Sequence, residues 1–566
     1  MKRPVVFILI VFCLYTLCAA SPFPVNADRS RSIPNVVLLT LDTTREDHLG
    51  CYGYEKNTTP NIDVFAREAV LFSHAVSVIP LTTPSHASIM TGLHPHSHQV
   101  FRNSYPVHSD YTMLAEILNK QGYKTGGFVS VKIIDSRIGF AQGFDHFSDV
   151  PEPPGAQEKS DNMFKQLMGG SIVSTLLLQR RGDETIDEGL AWLHENKDQP
   201  FFAWIHLYDP HLPYTPPSAY GYRFNAKYED YLARINHPLF KQRAYADQTA
   251  YSRAEETSDV SPFSKDAINF LLDVIGAGDR QYVSSDSTPA ELKDDFIAAY
   301  DGELAFVDEQ VGRILRFLKD SNVYDNTMVI IMADHGEILA EKEDFFGHHK
   351  YLYRGSMRIP VIMKFPGIEP QSIDEKITNV DIMPTLLDAL GIEVTTAMDG
   401  MSYWPEISSR ETVNVPEKLF YGTHTGRGRA AEEHKAQTQS SFTRKIRHVY
   451  SRINNLIKRF FMNIFRIKLR WKIDRHFDKI AVVKGDWKLI RSLDAKNRKE
   501  VSYELYNLRE DPGEIENLIT EEEEVYKELR ILLKKYIQTK RYSVHPLQDD
   551  AQTEEEIKTL RSLGYM

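Results

Sequence analysis

Thr82, Asp42 and the pair Asp334-His335 are the residues whose types and placement could do chemistry together. Thr82 lies in PLTTPSHASIMTG, residues 80–92, where a strand end, a hydroxyl and a helix start fall together. Thr83 is placed to cap a helix over 84–91, Pro84 suits its first position, and Gly92 can end it with a positive φ. A hydroxyl at such a terminus meets unpaired amides and the positive end of the macrodipole, which favour a sulfate or phosphate ester. The same residues also suit an ordinary capped helix, so Thr82 as nucleophile needs support from elsewhere in the chain. Asp42 ends the apolar run NVVLLTLD and Asp334-His335 follows TMVIIMA, so strand ends deliver two carboxylates and an imidazole. Oxygen ligands of this kind suit Mg, Ca or Mn, and the imidazole admits Zn. HLYDPHLPYTPP, 206–217, carries His206, Asp209 and His211 out of another strand, and one of its imidazoles can protonate a leaving group. GHHKYLYRGSMRIPVIMKFPG, 347–367, holds His348, His349, Lys350 and Arg358, of which Lys350 can meet an anionic ester.

Bringing these groups to one place requires strands that run the same way. Apolar runs at 35–42, 124–130, 200–208 and 327–333 alternate with helical stretches at 61–69, 111–121, 183–196 and 292–319. That rhythm means a parallel sheet buried on both faces, with ligands at the carboxyl ends of its strands. Residues 218–290 lack the rhythm and are rich in Tyr, Asp and Ser, which reads as an insertion over the sheet's active edge.

With 566 residues the chain can bury a large core, and its net charge of −11 argues against nucleic acid as a partner. Lys2 and Arg3, an apolar run and the small-residue approach to Ala27 read as a secretory signal over 1–27, predicting export to the periplasm or the medium. After its removal Cys51 is the one remaining cysteine, so stability must come from packing rather than a disulfide. Residues 444–475 hold eleven Lys or Arg and one acid, with apolar residues at helical spacing. This is either a basic amphipathic helix drawn to an anionic membrane surface or a helix packed on the protein with its charges in water. Thr520 and Glu523 are spaced as the capping box of a terminal helix reaching Tyr536.

Several segments together resemble the sulfatase family of the alkaline phosphatase superfamily. They are IPNVVLLTLDTTREDHLGCYGY, PLTTPSHASIMTG, HLYDPHLPYTPP, AAYDGELAFVDEQVGRILRFLKD, MVIIMADHGE, GHHKYLYRGSMRIPVIMKFPG, VDIMPTLLDALG and ELYNLREDPGEIENL, in that order. The resemblance implies an α/β fold: a large mixed, mostly parallel sheet sandwiched by helices over 33–414, then a small antiparallel-sheet subdomain over 415–550. It implies one divalent metal ion, Ca, Mg, Mn or Zn, on Asp42, Asp334, His335 and the nucleophile Thr82. His211 matches the residue that handles the leaving group and Lys350 the residue that meets the anionic ester. The implied substrate is a small-molecule, glycan or lipid ester.

Three departures bear on the chemistry. The family signature begins with Cys or Ser, which is oxidised to formylglycine; here it is Thr82, whose extra methyl forbids an aldehyde. The signature's Arg is His86, which replaces a fixed charge beside the nucleophile with a titratable group. A second Asp after the first ligand is Thr43, one carboxylate fewer for the metal. A hydrated aldehyde can expel sulfate by collapsing to a carbonyl, whereas an ester of Thr must be released by water attacking sulfur or phosphorus. That leans toward phosphorus, and Asp-His at the second metal motif also occurs in phosphonate monoester hydrolases. The alternatives are a phosphodiesterase or phosphoethanolamine-type transferase and, from another class, a catalytically silent binding protein on the same fold.

Overall fold

A computed structural model describes residues 33–151, 179–212, 214–234, 290–341, 346–348, 351–393, 396–409, 418–423, 479–493 and 501–539. Residues 1–27, expected to be a signal, most of 218–290, expected to be an insertion, Lys350 and the basic stretch 444–475 lie outside them. Among the described residues no helix is long and apolar enough to cross a membrane.

The main sheet has eight strands: β1 (Asn35–Leu41), β2 (Val70–Val76), β3 (Lys124–Phe128), β4 (His146–Ser148), β5 (Phe201–Leu207), β6 (Thr327–Ala333), β9 (Val361–Lys364) and β10 (Gln371–Thr378). A two-stranded ribbon of β7 (Ile338–Leu339) and β8 (Phe346–Gly347) stands apart. The order across the main sheet is β10-β2-β9-β6-β1-β5-β3-β4, and β9 alone runs against its neighbours. The expected mixed, mostly parallel sheet is therefore what forms.

Each central strand is apolar throughout because both of its faces are covered. Val36 and Leu38 enter one core with Phe202, Trp204, Met328 and Ile330, whereas Val37, Leu39 and Leu41 enter the other with Ala203, Ile205, Val329 and Ile331. The period of two in a β-strand thus sorts one continuous hydrophobic run into two cores. Burying one such side chain is worth about 1.5–3 kcal/mol, so the register of these strands is firmly set.

Helices fall close to where the periodicity places them: Pro60–Ala66, Leu114–Lys120, Gly182–Asn196 and Ala290–Asp320. Two ends differ. The helix after residue 80 runs Thr82–Thr91, beginning at Thr82 itself, with Leu81 extended at the cap position and no side-chain cap. Thr83 caps nothing, because its hydroxyl donates to the Ile133 carbonyl at 2.6 Å and accepts from the Ser104 amide at 3.0 Å. Gly92 does end this helix, at φ 64°. The terminal helix runs Glu523–Thr539, and the Thr520 hydroxyl bonds Glu521 instead of forming a capping box. Residues 517 and 518 are tied to Leu505 by an Asn517 side-chain bond of 2.9 Å and a Leu518 amide bond of 2.8 Å, which delays the helix start.

A second sheet, β11 (Lys418–Thr423), β12 (Lys479–Lys484), β13 (Trp487–Leu493) and β14 (Val501–Asn507), is antiparallel throughout, as expected for the C-terminal part. Ile480, Val482, Leu489 and Leu505 pack on Leu529 and Leu533 of the terminal helix and on Val78, Ile79 and Leu81 just before Thr82. Ala481, Val483 and Ile490 face the other way, onto Tyr351, Leu352, Tyr353 and Met357.

Asp308 of the long helix caps another helix through space, accepting from the amides of Asn61 at 3.0 Å and Ile62 at 2.8 Å. Burial pushes its carboxyl from the ordinary 3.8 up to about 6. The folded protein therefore holds this proton to higher pH than the unfolded chain does, and its contribution to stability falls as pH rises from 3.8 to about 6. Asp308→Asn should flatten the dependence of the urea midpoint on pH within that window, relative to the parent protein. An unchanged slope would contradict this account of Asp308.

Candidate active site and metal centre

Register brings the candidate residues together. Leu41 pairs with Leu207 of β5 on one side and Ala333 of β6 on the other, so Asp42 and Asp334 leave neighbouring strands at the same level. The Asp42 amide donates to the Leu207 carbonyl at 2.8 Å, extending the ladder to the last residue before the turn. Asp42, Asp334 and His335 are fully buried, and one ligand atom from each lies within 4.8 Å of the others.

The atoms are aimed as a cation would need them. His335 Nδ1 lies 3.0 Å from the Gly336 carbonyl, which takes its proton and leaves the Nε2 lone pair facing inward. That Nε2 is 3.4 Å from the Thr82 hydroxyl and 3.4 Å from Asp334 Oδ2. Asp334 Oδ1 accepts from the His335 amide at 2.8 Å and the Thr43 amide at 3.3 Å. Asp42 Oδ1 and Asp334 Oδ2 have no hydrogen-bond partner among the described residues. Two orphaned carboxylate oxygens and an imidazole lone pair, all buried, are a donor set that fits a divalent ion.

Electrostatics points the same way. Burial, then the Asp334 and Glu337 carboxylates, drive the Asp42 carboxyl well above its ordinary range, and burial does the same to Asp334. Burial pushes His335 and His206 well below the ordinary imidazole range and His86 down to about 4, so these rings are neutral.

The helix Thr82–Thr91 is buried on every face. Beneath its start, the Ser85 hydroxyl donates to the Asp334 carbonyl at 2.7 Å and accepts from Asn379 at 2.8 Å. His86 takes the place where the family resemblance puts an Arg. Its Nδ1 donates to the Thr82 carbonyl at 2.8 Å, and its Nε2 lies 3.1 Å from the Thr40 hydroxyl, which also accepts from Trp204 at 3.0 Å. Both ring nitrogens are thus engaged with the scaffold, and Nδ1 also lies 3.5 Å from Asp334 Oδ2. The helix N-terminus offers an anion fewer amides than the sequence suggests, since the Thr83 amide donates to Asn103 at 2.9 Å and Pro84 has none. Thr43, in place of a carboxylate, sits at φ 51°, strained for a β-branched residue, with its hydroxyl buried and no hydrogen-bond partner among the described residues.

His211 reaches the same place from the loop after β5, stacked on Tyr208 with ring centroids 4.4 Å apart. Its ring is 5.0 Å from that of His348, which in turn lies 4.3 Å from His335. Asp209 points elsewhere, accepting from the Gly182 amide at 3.1 Å at the start of Gly182–Asn196. Arg358 is also outside the site, paired with Glu46 at 3.0 Å. Glu337, not among the residues expected from the sequence, joins His211 and His348: its carboxylate holds His348 Nδ1 at 2.9 Å, and burial raises it to about 7. Its place two residues after His335 was the one available signal; for Asn379 there was none.

Residues 34–392 match the sulfatase family, and 343–457 match the C-terminal part of N-sulphoglucosamine sulphohydrolase. The N-acetylglucosamine-6-O-sulfatase of Bacteroides thetaiotaomicron is 25% identical over 419 residues, 66% of this chain and 71% of that protein. An arylsulfatase of Clostridium perfringens is 26% identical over 414 residues, 67% of this chain and 79% of its own length. Among solved structures, the phosphonate monoester hydrolase of Agrobacterium radiobacter superposes with a TM-score of 0.59 at 21% identity, covering 89% of this chain and 95% of its own.

If the three converging groups hold a cation, adding Ca2+, Mg2+, Mn2+ or Zn2+ to chelator-treated protein should raise its melting temperature as the ion binds the folded state. Asp334→Asn should abolish that rise while leaving the chain folded. An equal rise in parent and variant would place the binding elsewhere.

Proposed function

Because the chain belongs to the sulfatase family, whose members hydrolyse sulfate esters and are generally dependent on a divalent metal, we propose that it is a metal-dependent ester hydrolase with unmodified Thr82 as nucleophile. The observation that carries the proposal is the meeting of Asp42, Asp334 and His335 within 4.8 Å, beside a Thr82 hydroxyl 3.4 Å from His335.

A cation held by Asp42, Asp334 and His335 would offset charge on the ester's non-bridging oxygens and lower the pKa of the Thr82 hydroxyl. Thr82 Oγ1 gives up its proton to solvent and attacks the central phosphorus or sulfur, forming an ester bond as the bond to the leaving oxygen breaks. His211 gives that oxygen its proton. Lys350 has the role, by the family resemblance, of meeting the anionic oxygens. Water, giving its proton back to His211, then attacks the same centre, the Oγ1 bond breaks, and Thr82 regains from solvent the proton it lost.

The second step decides the substrate. Thr82 carries a methyl group on the carbon that would have to become an aldehyde, so elimination of sulfate from a hydrate is closed to it. Release by direct displacement is readily accomplished at phosphorus with a cation and an in-line nucleophile. A phosphate or phosphonate ester on a small molecule or glycan is therefore the substrate this site favours. Relatives named for a glucosamine sulfate and a phosphonate monoester support a ligand of that size and charge. The apolar N-terminal run supports action outside the cytoplasm.

Thr82→Ala should lower turnover by orders of magnitude, and Thr82→Ser should keep part of it. A folded state within about 1–2 kcal/mol of the parent is expected for both, since the hydroxyl caps nothing. Purified protein should be assayed against matched aryl sulfate, phosphate monoester, phosphodiester and phosphonate, with the mass of the peptide containing Thr82 measured in parallel. Faster turnover of the sulfate than of every phosphorus ester would reverse the preference, and full activity in Thr82→Ala would remove the nucleophile.

A further inference from the structure

His206 is a buried histidine to which the proposed chemistry gives no task. It stands opposite Thr40 in the register of β1 and β5, one residue from the strand end, and is wholly buried. Its carbonyl accepts from the Ser130 hydroxyl at 2.5 Å, and its ring meets the His86 ring edge-on with centroids 4.9 Å apart. Backbone and ring are therefore both held. The Nε2 atom lies 3.3 Å from Asp42 Oδ2, while Nδ1 has no hydrogen-bond partner among the described residues.

An aspartate side chain turns about two bonds, and the outer one is soft. Fixing one carboxylate oxygen from a rigid donor fixes the direction of the other. Asp42 has such a donor on Oδ2 and none on Oδ1. We propose that His206 is a positioning residue for the metal centre, its Nε2–H holding Asp42 Oδ2 so that Oδ1 is left to the cation. The inference rests on Asp42, Asp334 and His335 being a cation site. It separates the two histidines of HLYDPH by task. His211, 9% exposed, lies alongside His348, whereas His206, 0% exposed, has its Nε2 against Asp42.

The test is calorimetric titration of full-length, chelator-treated protein with Ca2+, Mg2+, Mn2+ and Zn2+, each alone, comparing the parent with His206→Leu and His206→Gln. The leucine variant should bind whichever ion the parent binds about 10- to 100-fold more weakly, the usual loss when a hydrogen-bond partner of a metal ligand is removed. Glutamine, whose amide can reach the same oxygen, should restore most of that affinity. At saturating cation the leucine variant should regain most of its turnover. Should it fail to fold, His206→Asn, with an amide too short to reach Asp42, replaces it in the same comparison. Equal affinity in parent and leucine variant overturns the proposal, as does turnover that stays lost at saturating cation while affinity is intact, which would make His206 an acid. A parent protein that binds none of the four ions overturns the cation reading itself, and the proposal with it.

Discussion

Two carboxylates that cannot avoid one another organise this protein. Asp42 and Asp334 leave adjacent strands at one level, fully buried, with ligand oxygens inside a cluster 4.8 Å across. Two unit charges 4.8 Å apart repel by about 3–4 kcal/mol at an effective dielectric near 20, before any cost of removing them from water. The two amides on Asp334 Oδ1 offset part of this at roughly 1.5–3 kcal/mol each. They do not touch Asp42, and they leave an oxygen of each carboxylate unpaired.

The ion pairs seen among the described residues supply these carboxylates with no permanent counter-charge. Among the described residues, the ion-pair partners of Asp42 and Asp334 are His206, His86 and His335, and burial keeps all three neutral. The nearby arginines are directed elsewhere: Arg45 to Asp47, Glu341 and the Glu337 carbonyl, and Arg354 and Arg358 to Glu46. A divalent cation held here would offset that repulsion, which would tie its occupancy to folding stability.

Geometry of this kind has to be held from outside the main sheet. The C-terminal sheet packs one face on residues 78–81, which deliver Thr82, and the other on residues 351–357, beyond the turn that carries His348. Its Lys488 pairs with buried Glu514 at 2.7 Å and reaches the Leu352 carbonyl, and Glu514 accepts from the Arg354 amide. Removing one partner of a buried pair commonly costs 3–5 kcal/mol, so this chain of charges resists any shift of the segment it grips. The small sheet is in this sense part of the scaffold of the candidate site, although none of the candidate residues lies on its strands.

The parallel strands, the residues at their ends, and a helix closed by Gly92 were legible in the sequence because they depend on local rules: apolar runs, strand-end acids, and a glycine that closes a helix. The order of segments also sufficed to identify the family. What the chain by itself could not decide was every feature that depends on a partner distant in sequence. Thr83 has a capping residue's chemistry, yet Ile133 and Ser104 take its hydroxyl. Thr520 and Glu523 have the spacing of a capping box, yet the bonds to Leu505 move the helix start. His206 and His211 are five residues apart and alike in type, and only the register of β1 against β5 turns one to Asp42 and leaves the other beside His348. Local propensities are worth about 1 kcal/mol or less per residue, and buried tertiary bonds and register are worth more, so they decide wherever the two disagree.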